Sequence, residues 1–541
     1  MTQPNETQNA LLHLTVVIIA MIVVATVPYV VPPLYAYRPW VPSEQGVPVA
    51  RLFGEWGEIP AFAGHGGSYR TSSTSAITAD RLAETVGESV AANLGPGSFM
   101  RPTDSSDPLN IDPSEYAGIK VFIEDPTGRG MPPFYRALES TANGNEDAVT
   151  RVSHYGDSSI ATDLITSTVR EQLQARFGDA GHGFVIAAKG TIPYKHRGVR
   201  QSSNDESWIT REVVRRQDRN GRYGYGGVQS RAQRGAWARV STAKRGDFGT
   251  KASRFDVYYQ SQPRGGTFSV RVDDGDWEQV STKSDELNDG IYQLIAPDGP
   301  HQLQLKYTKG GPVYFYGVVV ERDGPGVVYD SLGLVGARAN RLLNFDAEHI
   351  GEQLALRRTD LVVLGFGGNE ASDDKTEEQF YQDYARVLAH IRQGRDGLGC
   401  LVFSPLDQAA RTRGRIRTLD TIPKIVAAQR RAAFEAGCAF YDTWQAMGGQ
   451  DAMRRWYKAR PRLAMGDFRH ATPAGYEIVG NMFYKALLAG FAGYLAESGE
   501  SAKAGDAAGG TSDATVPPTS MVDPGSGMPS SSAESSTSPS R

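Results

Sequence analysis

The strongest constraint on what this chain can fold into is a change of hydrophobic period, made twice. Up to about Gly190, and again after Asp330, short continuous apolar runs alternate with helical patterns; between those points they do not. Leu361-Val362-Val363-Leu364-Gly365 is uniformly apolar, as a parallel strand covered on both faces requires. Thr376-Glu377-Glu378-Gln379 forms a capping box that opens a helix with Phe380, Tyr384, Val387, Leu388 and Ile391 on one side. A second buried strand, Leu401 to Phe403, is followed by a helix over about Thr421 to Ala436 and a third strand, Ala439 to Tyr441. Upstream, Ile119 to Ile123 reads as a strand, Met131 to Ser140 as a helix, and Val152 to Tyr155 as a strand leading into a helical pattern with Ile160, Leu164, Ile165 and Val169. Alternation on both sides of a different block predicts one doubly wound α/β domain with an insertion.

Inside the block, helical periodicity disappears. Short alternating runs replace it, from Trp208–Val214 and Trp237–Ser241 through Ser253–Tyr259 and Thr267–Val272 to Trp277–Ser281, Ile291–Ile295, His301–Tyr307 and Val313–Val320. Turns such as Asn288-Asp289-Gly290 and Pro297-Asp298-Gly299-Pro300 separate several of them, which predicts an antiparallel β-sandwich of jelly-roll type over 191–324. The two halves of the α/β domain then fall at 116–190 and 325–496.

The remaining segments are of other kinds. After a tail of ten residues, Leu11 to Val31 is apolar but for His13, Thr15, Thr26 and Pro28, long enough at about 1.5 Å per residue to cross a core of roughly 30 Å. A cleaved signal peptide fits less well, because no Lys or Arg precedes Leu11 and no clear Ala-x-Ala site follows. A single transmembrane anchor is therefore expected at 11–31. Residues 32–115, rich in Gly, Ser, Thr and Pro, read as a stalk with one short helix, Thr78 to Leu94. Residues 497–541 have hardly any large apolar side chains and are expected to be disordered.

A net charge of -4 gives no reason to expect nucleic acid as a partner. The two cysteines, Cys400 and Cys438, match no metal-ligand spacing and adjoin apolar runs; buried free thiols are expected, with a disulfide open if the domain is exported. Neither a cofactor nor a metal is expected.

Two stretches carry chemistry. In Gly156-Asp157-Ser158 a serine sits between a strand and a helix whose amides and dipole face anything negative held there. Alone, this is an ordinary turn with Asp157 or Ser158 as N-cap. In Asp467-Phe468-Arg469-His470, the Asp can take the Nδ1–H of the His and leave Nε2 to receive a serine proton. Alone, that is a common surface pair. Gly336, in Gly333-Leu334-Val335-Gly336-Ala337, and Asn369, in Gly365-Phe366-Gly367-Gly368-Asn369-Glu370, offer a backbone and a side-chain donor for a tetrahedral oxyanion. Losing one such donor typically costs about 10²–10³ in turnover.

Together the four stretches, in this order, resemble the SGNH (GDSL-type) hydrolases. The resemblance covers about 118–190 and 325–495, and it implies a flavodoxin-like three-layer α/β/α domain. It implies Ser158 as nucleophile, His470 as general base oriented by Asp467, and an oxyanion hole from the Ser158 amide, the Gly336 amide and Asn369. Ser159 stands where the family has Leu, and Glu370 where it has Asp. The inserted sandwich, with the contexts Arg151-Val152-Ser153-His154-Tyr155-Gly156-Asp157-Ser158 and Arg176-Phe177-Gly178-Asp179-Ala180-Gly181-His182-Gly183-Phe184, is similar to bacterial peptidoglycan O-acetylesterases. That implies an O-acetylated cell-envelope glycan as substrate and a catalytic domain on the periplasmic side of the membrane. An O-acetyltransferase using the same site, or a non-catalytic wall-binding protein, are the alternatives. Trp208, Tyr223, Tyr225, Trp237, Tyr258 and Tyr259 are available to stack on sugars or are half-buried sheet residues. The basic run Arg211, Arg215, Arg216, Arg219, Arg222, Arg231, Arg234, Arg239 and Arg245 suits an anionic glycan or membrane surface, or is a solvated face.

Overall fold

The computed structural model describes residues 85–94 and 107–509, apart from 191, 394 and 396; the expected anchor at 11–31 lies outside them. Five parallel strands form the central sheet, in the spatial order Gly326–Gly333, Val149–Gly156, Leu361–Gly365, Gly399–Phe403, Ala439–Tyr441. Numbered along the chain this is 2-1-3-4-5, the flavodoxin-like order, whose switch point lies beside the first strand. Side chains alternate across it. Leu361 and Val363 join Val152, Tyr329, Leu401 and Phe403 under the helices Pro132–Ala142, Leu164–Phe177 and Pro473–Gly509. Val362 and Leu364 join Val402 and Phe440 under Ala347–Leu356, Glu377–Arg392 and Thr421–Glu435. The expected capping box of the Glu377–Arg392 helix is present in full.

The insertion leaves after the first strand and its helix and returns as the second strand. It consists of two antiparallel sheets. One orders Asn288–Gly299, Ala252–Ser261, Val313–Glu321, Val228–Ala232 and Trp208–Glu212; the other orders Val199–Ser203, Trp237–Thr242, Gln302–Gly310, Gly266–Val272 and Glu278–Ser281. Phe268 of the second packs on Phe315 and Tyr259 of the first, with ring centroids 4.9 and 5.4 Å apart. A further strand, Gly181–Val185, pairs with Val313–Glu321 upstream of the expected start at 191.

Buried charge joins the sandwich to the α/β sheet. Glu321 receives Arg151 (3.2 and 2.9 Å), Arg357 and Arg254. Asp330, on the second strand, receives Arg357 (2.7 and 3.1 Å), Tyr225 Oη (2.7 Å) and the Phe184 amide (2.7 Å). Burial alone would raise the Glu321 carboxyl, but Arg357 and Arg151 outweigh it and hold it at about 2.

Several expectations are corrected. Cys400 and Cys438 are not free but form a disulfide; the parallel register that sets Leu401 opposite Ala439 brings the preceding residues side by side. Residues 119–123 join no ladder, and only Glu124 bridges to Phe440 at the sheet edge. Trp208, Tyr223, Tyr225 and Tyr258 are core residues, whereas Trp237 is exposed beneath the Arg239 guanidinium. Part of the basic run is paired, Arg211 with Asp218, Arg215 with Glu212 and Arg222 with Asp289. Within the expected stalk, Val86 and Val90 are buried in the core, and Arg176 binds the carbonyls of Pro108 and Asn110. The last helix runs on to Gly509, past the expected tail start at 497. Its Pro473–Ser498 part is long and apolar enough to cross a membrane, but most of its apolar stretch is buried in the domain.

Candidate active site

The site is built where three strands end on glycine. Gly156 lies in register with Gly333 on one side and Gly365 on the other. A Cβ on Gly156 would stand 2.3 Å from Ile160 Cγ1, and one on Gly333 would stand 2.1 Å from the Ala161 amide nitrogen. Bare backbone at this edge lets the short helix Ser158–Ala161 settle directly on the sheet. Asp157 caps that helix, accepting from the Ser159 amide (2.9 Å) and hydroxyl (2.8 Å). Its carboxyl is also approached by the Gly368 amide, so the serine turn and the Gly367-Gly368-Asn369 turn share one anchor; burial pushes this carboxyl above the usual range.

His470 arrives on the loop before the last helix. Met465 N–H donates to the His470 carbonyl (2.8 Å) and Thr472 N–H to Leu463 O (2.9 Å), closing the loop on itself. Phe468, between Asp467 and His470, has φ 58°, a strained conformation for a bulky residue. Its ring packs on Tyr457, and its carbonyl receives the Ala409 amide (2.9 Å). The turn so formed puts Asp467 Oδ1 on the amides of Arg469 (3.0 Å) and His470 (3.1 Å) and Oδ2 on His470 Nδ1 (2.6 Å). His470 Nε2 lies 3.1 Å from Ser158 Oγ. With Nδ1–H donating to Asp467, Nε2 is the acceptor for the serine proton. The hydrogen bond to Asp467 raises His470 above an ordinary histidine. Burial would raise Asp467, but the His470 side chain and the two amides reverse this and lower it.

The structure thus brings Ser158, Asp467 and His470 together. Gly336 has φ 75° and open space where a Cβ would be. Asn369 gives one amide hydrogen to Ala337 O (2.8 Å). Further bonds staple these two segments. Arg338 donates to Asn369 O (3.1 Å) and to Asp373 Oδ1 (2.8 Å), and the Ala339 amide donates to Glu370 Oε1 (2.7 Å). Burial pushes Glu370 up to about 7. Gln408 adds a bond to Gly368 O (2.9 Å). Arg338 and Gln408 carry no motif signal; Glu370 stood out only as a departure from the family pattern.

A nucleophile-base-orienter chain at the carboxyl edge of the sheet, beside two stapled donor loops, is what acyl transfer needs. A family model described as GDSL-like lipase/acylhydrolase matches residues 301–478, which include Gly336, Asn369, Asp467 and His470. Over this stretch the chain is similar to the GDSL-like lipases and acylhydrolases. Ser158 lies upstream of the matched stretch, as an insertion between the first two strands of the hydrolase entails. Among solved structures, a peptidoglycan O-acetylesterase superposes with TM-score 0.55 at 22% identity, covering 66% of this chain and 95% of that chain. A Bacillus subtilis protein (13% identity, 56% and 96% coverage) and a family two carbohydrate esterase from Cellvibrio japonicus (11%, 47% and 85%) score only 0.24 and 0.17. No curated protein matches significantly.

Proposed function

We propose that this hydrolase is a membrane-anchored serine esterase that removes O-acetyl groups from a cell-envelope, peptidoglycan-like glycan. The observation that carries the reading is the Ser158 Oγ–His470 Nε2–Asp467 chain at the carboxyl edge of the sheet. His470 takes the Ser158 proton as Oγ attacks the acetyl carbonyl. The Ser158 and Gly336 amides and the second amide hydrogen of Asn369 hold the oxyanion. As the acyl–oxygen bond to the sugar breaks, His470 passes the proton to the departing sugar oxygen, which leaves as a hydroxyl with acetyl-Ser158 behind it, and water activated by the same imidazole releases acetate.

The choice of substrate is supported by the inserted sandwich, read as a jelly-roll glycan-binding module with Trp237 at its surface, and by the likeness to the peptidoglycan O-acetylesterase in fold. An extracytoplasmic site for the catalytic domain is supported by the Cys400–Cys438 disulfide, since such bonds persist in oxidising compartments. With residues 11–31 as anchor, the domain faces the envelope.

The test measures acetate released from 4-nitrophenyl acetate and from O-acetylated peptidoglycan by the wild type and Ser158→Ala. Release by the wild type, with loss of at least about 10³-fold in the variant, is expected. Equal slow release by both sinks the reading, and acetyl transfer to an added sugar that outpaces hydrolysis makes the enzyme a transferase.

A further inference from the structure

Between the Gly367-Gly368-Asn369 turn and the histidine loop stands a small hairpin, Ala409–Thr412 paired with Arg415–Thr418, that the proposed chemistry does not use. Its tip is Arg413-Gly414, with φ 49° and 76°, the pair of positive values that closes a tight two-residue hairpin. Its root is held from two sides. Gln408 Nε2 donates to Gly368 O (2.9 Å), one residue before Asn369. The Ala409 amide donates to Phe468 O (2.9 Å), two residues before His470. The hairpin is therefore fixed relative to both segments that surround Ser158.

Only Ile416 and the end residues Ala409 and Thr418 of these strands are buried. Arg411, Arg413 and Arg415 are exposed, and among the described residues no acidic side chain pairs with any of them. Arg417 differs, being tied to Asp451 at 2.7 Å. Arg411 lies over the Phe468 ring, 5.6 Å from its centroid, which draws one of these cations toward the catalytic loop. Arg469, next to His470, is exposed as well and reaches across to Ser372 Oγ (3.0 Å), on the segment after Asn369. The rim beside the nucleophile is thus cationic, fixed in place and uncompensated. Arginine on an exposed hairpin is commonly no more than a solvated surface. Here, anchoring to both catalytic segments gives those charges a constant position relative to Ser158.

We propose that Arg411, Arg413 and Arg415 form a subsite for the carboxylates of an anionic glycan, so that the polymer lies with an acetyl ester over Ser158. The proposal deepens the esterase reading and rests on it for the identity of the reacting ester. Guanidinium groups suit this task, because they stay charged and pair with carboxylate in a fork. The field of the rim also raises the local concentration of a polyanion, an effect that salt weakens.

The experiment compares O-acetylated peptidoglycan fragments with free carboxylates against the same fragments after methyl esterification, using the full chain. The readout is the ratio of kcat/KM for the two, in which any general loss of activity cancels. In the wild type the ratio exceeds one and falls as NaCl is raised. In the combined Arg411→Gln, Arg413→Gln, Arg415→Gln variant it drops about tenfold. An unchanged ratio overturns the subsite. A wild type that turns over neither glycan sinks the esterase reading instead; the subsite is then decided by calorimetric binding of the two fragment sets to the Ser158→Ala chain. Preference for free carboxylates that the arginine changes abolish upholds it, and equal binding refutes it.

Discussion

In the proposed reaction His470 is the base, and Asp467 is the largest influence on its strength. The 2.6 Å contact to Asp467 stabilises the imidazolium and raises its pKa above that of a free histidine. Since only the neutral ring can accept the Ser158 proton, activity climbs with pH through a midpoint above about 6.5. Replacing Asp467 by Asn removes the charge but not the shape, so the midpoint should move down. The plateau rate should also fall, on the order of 10⁴-fold by analogy with serine-protease triads. A kcat–pH profile on a small acetyl ester checks both, and an unmoved midpoint would refute the orienting role. Ser158, Asp467 and His470 were readable because each sits in a motif of three or four neighbours. Arg338 and Gln408 were not, because their bonds go to Asn369 and Gly368, 31 and 40 residues away.

At the level of elements, the serine helix depends on side chains that are missing. Gly333 is on the neighbouring strand, yet a methyl group there would drive into the Ala161 amide. Gly333→Ala should cost about 1–3 kcal/mol, the usual range for overpacking, and lower kcat by shifting Ser158 away from His470. Urea unfolding and kcat measure the two effects, and a variant with wild-type values for both would show that the helix has room to move. The buried strands from Leu361 onward were visible as uniform apolar runs. Gly181–Val185 was hidden, since Gly-His-Gly-Phe-Val lacks alternation and finds its place only against Val318–Glu321. The disulfide was hidden for the same kind of reason, as spacing along the chain says nothing about parallel register.

Across the whole molecule, the sandwich is no loose appendage. Glu321, at the end of the Val313–Glu321 strand, neutralises Arg151 and Arg357 from the α/β side and Arg254 from its own. Glu321→Ala leaves those guanidinium groups without their carboxylate and should destabilise the protein by about 3–5 kcal/mol. A loss below about 1 kcal/mol in urea unfolding would mean that water replaces the carboxylate. The insertion itself was readable from the change of period. Its fastening was not, because no local pattern reveals which buried arginines share an acid.

The position of that insertion has a consequence for how the chain is made. Ser158 and His470 are 312 residues apart. At ordinary rates of synthesis the histidine leaves the ribosome roughly 15–60 s after the serine. For much of that interval the Val149–Gly156 strand has neither neighbour, since Gly326–Gly333 and Leu361–Gly365 are still unmade. A strand that will lie inside the sheet, paired on both sides, thus begins with two open edges, the state in which a nascent chain is most prone to pair wrongly.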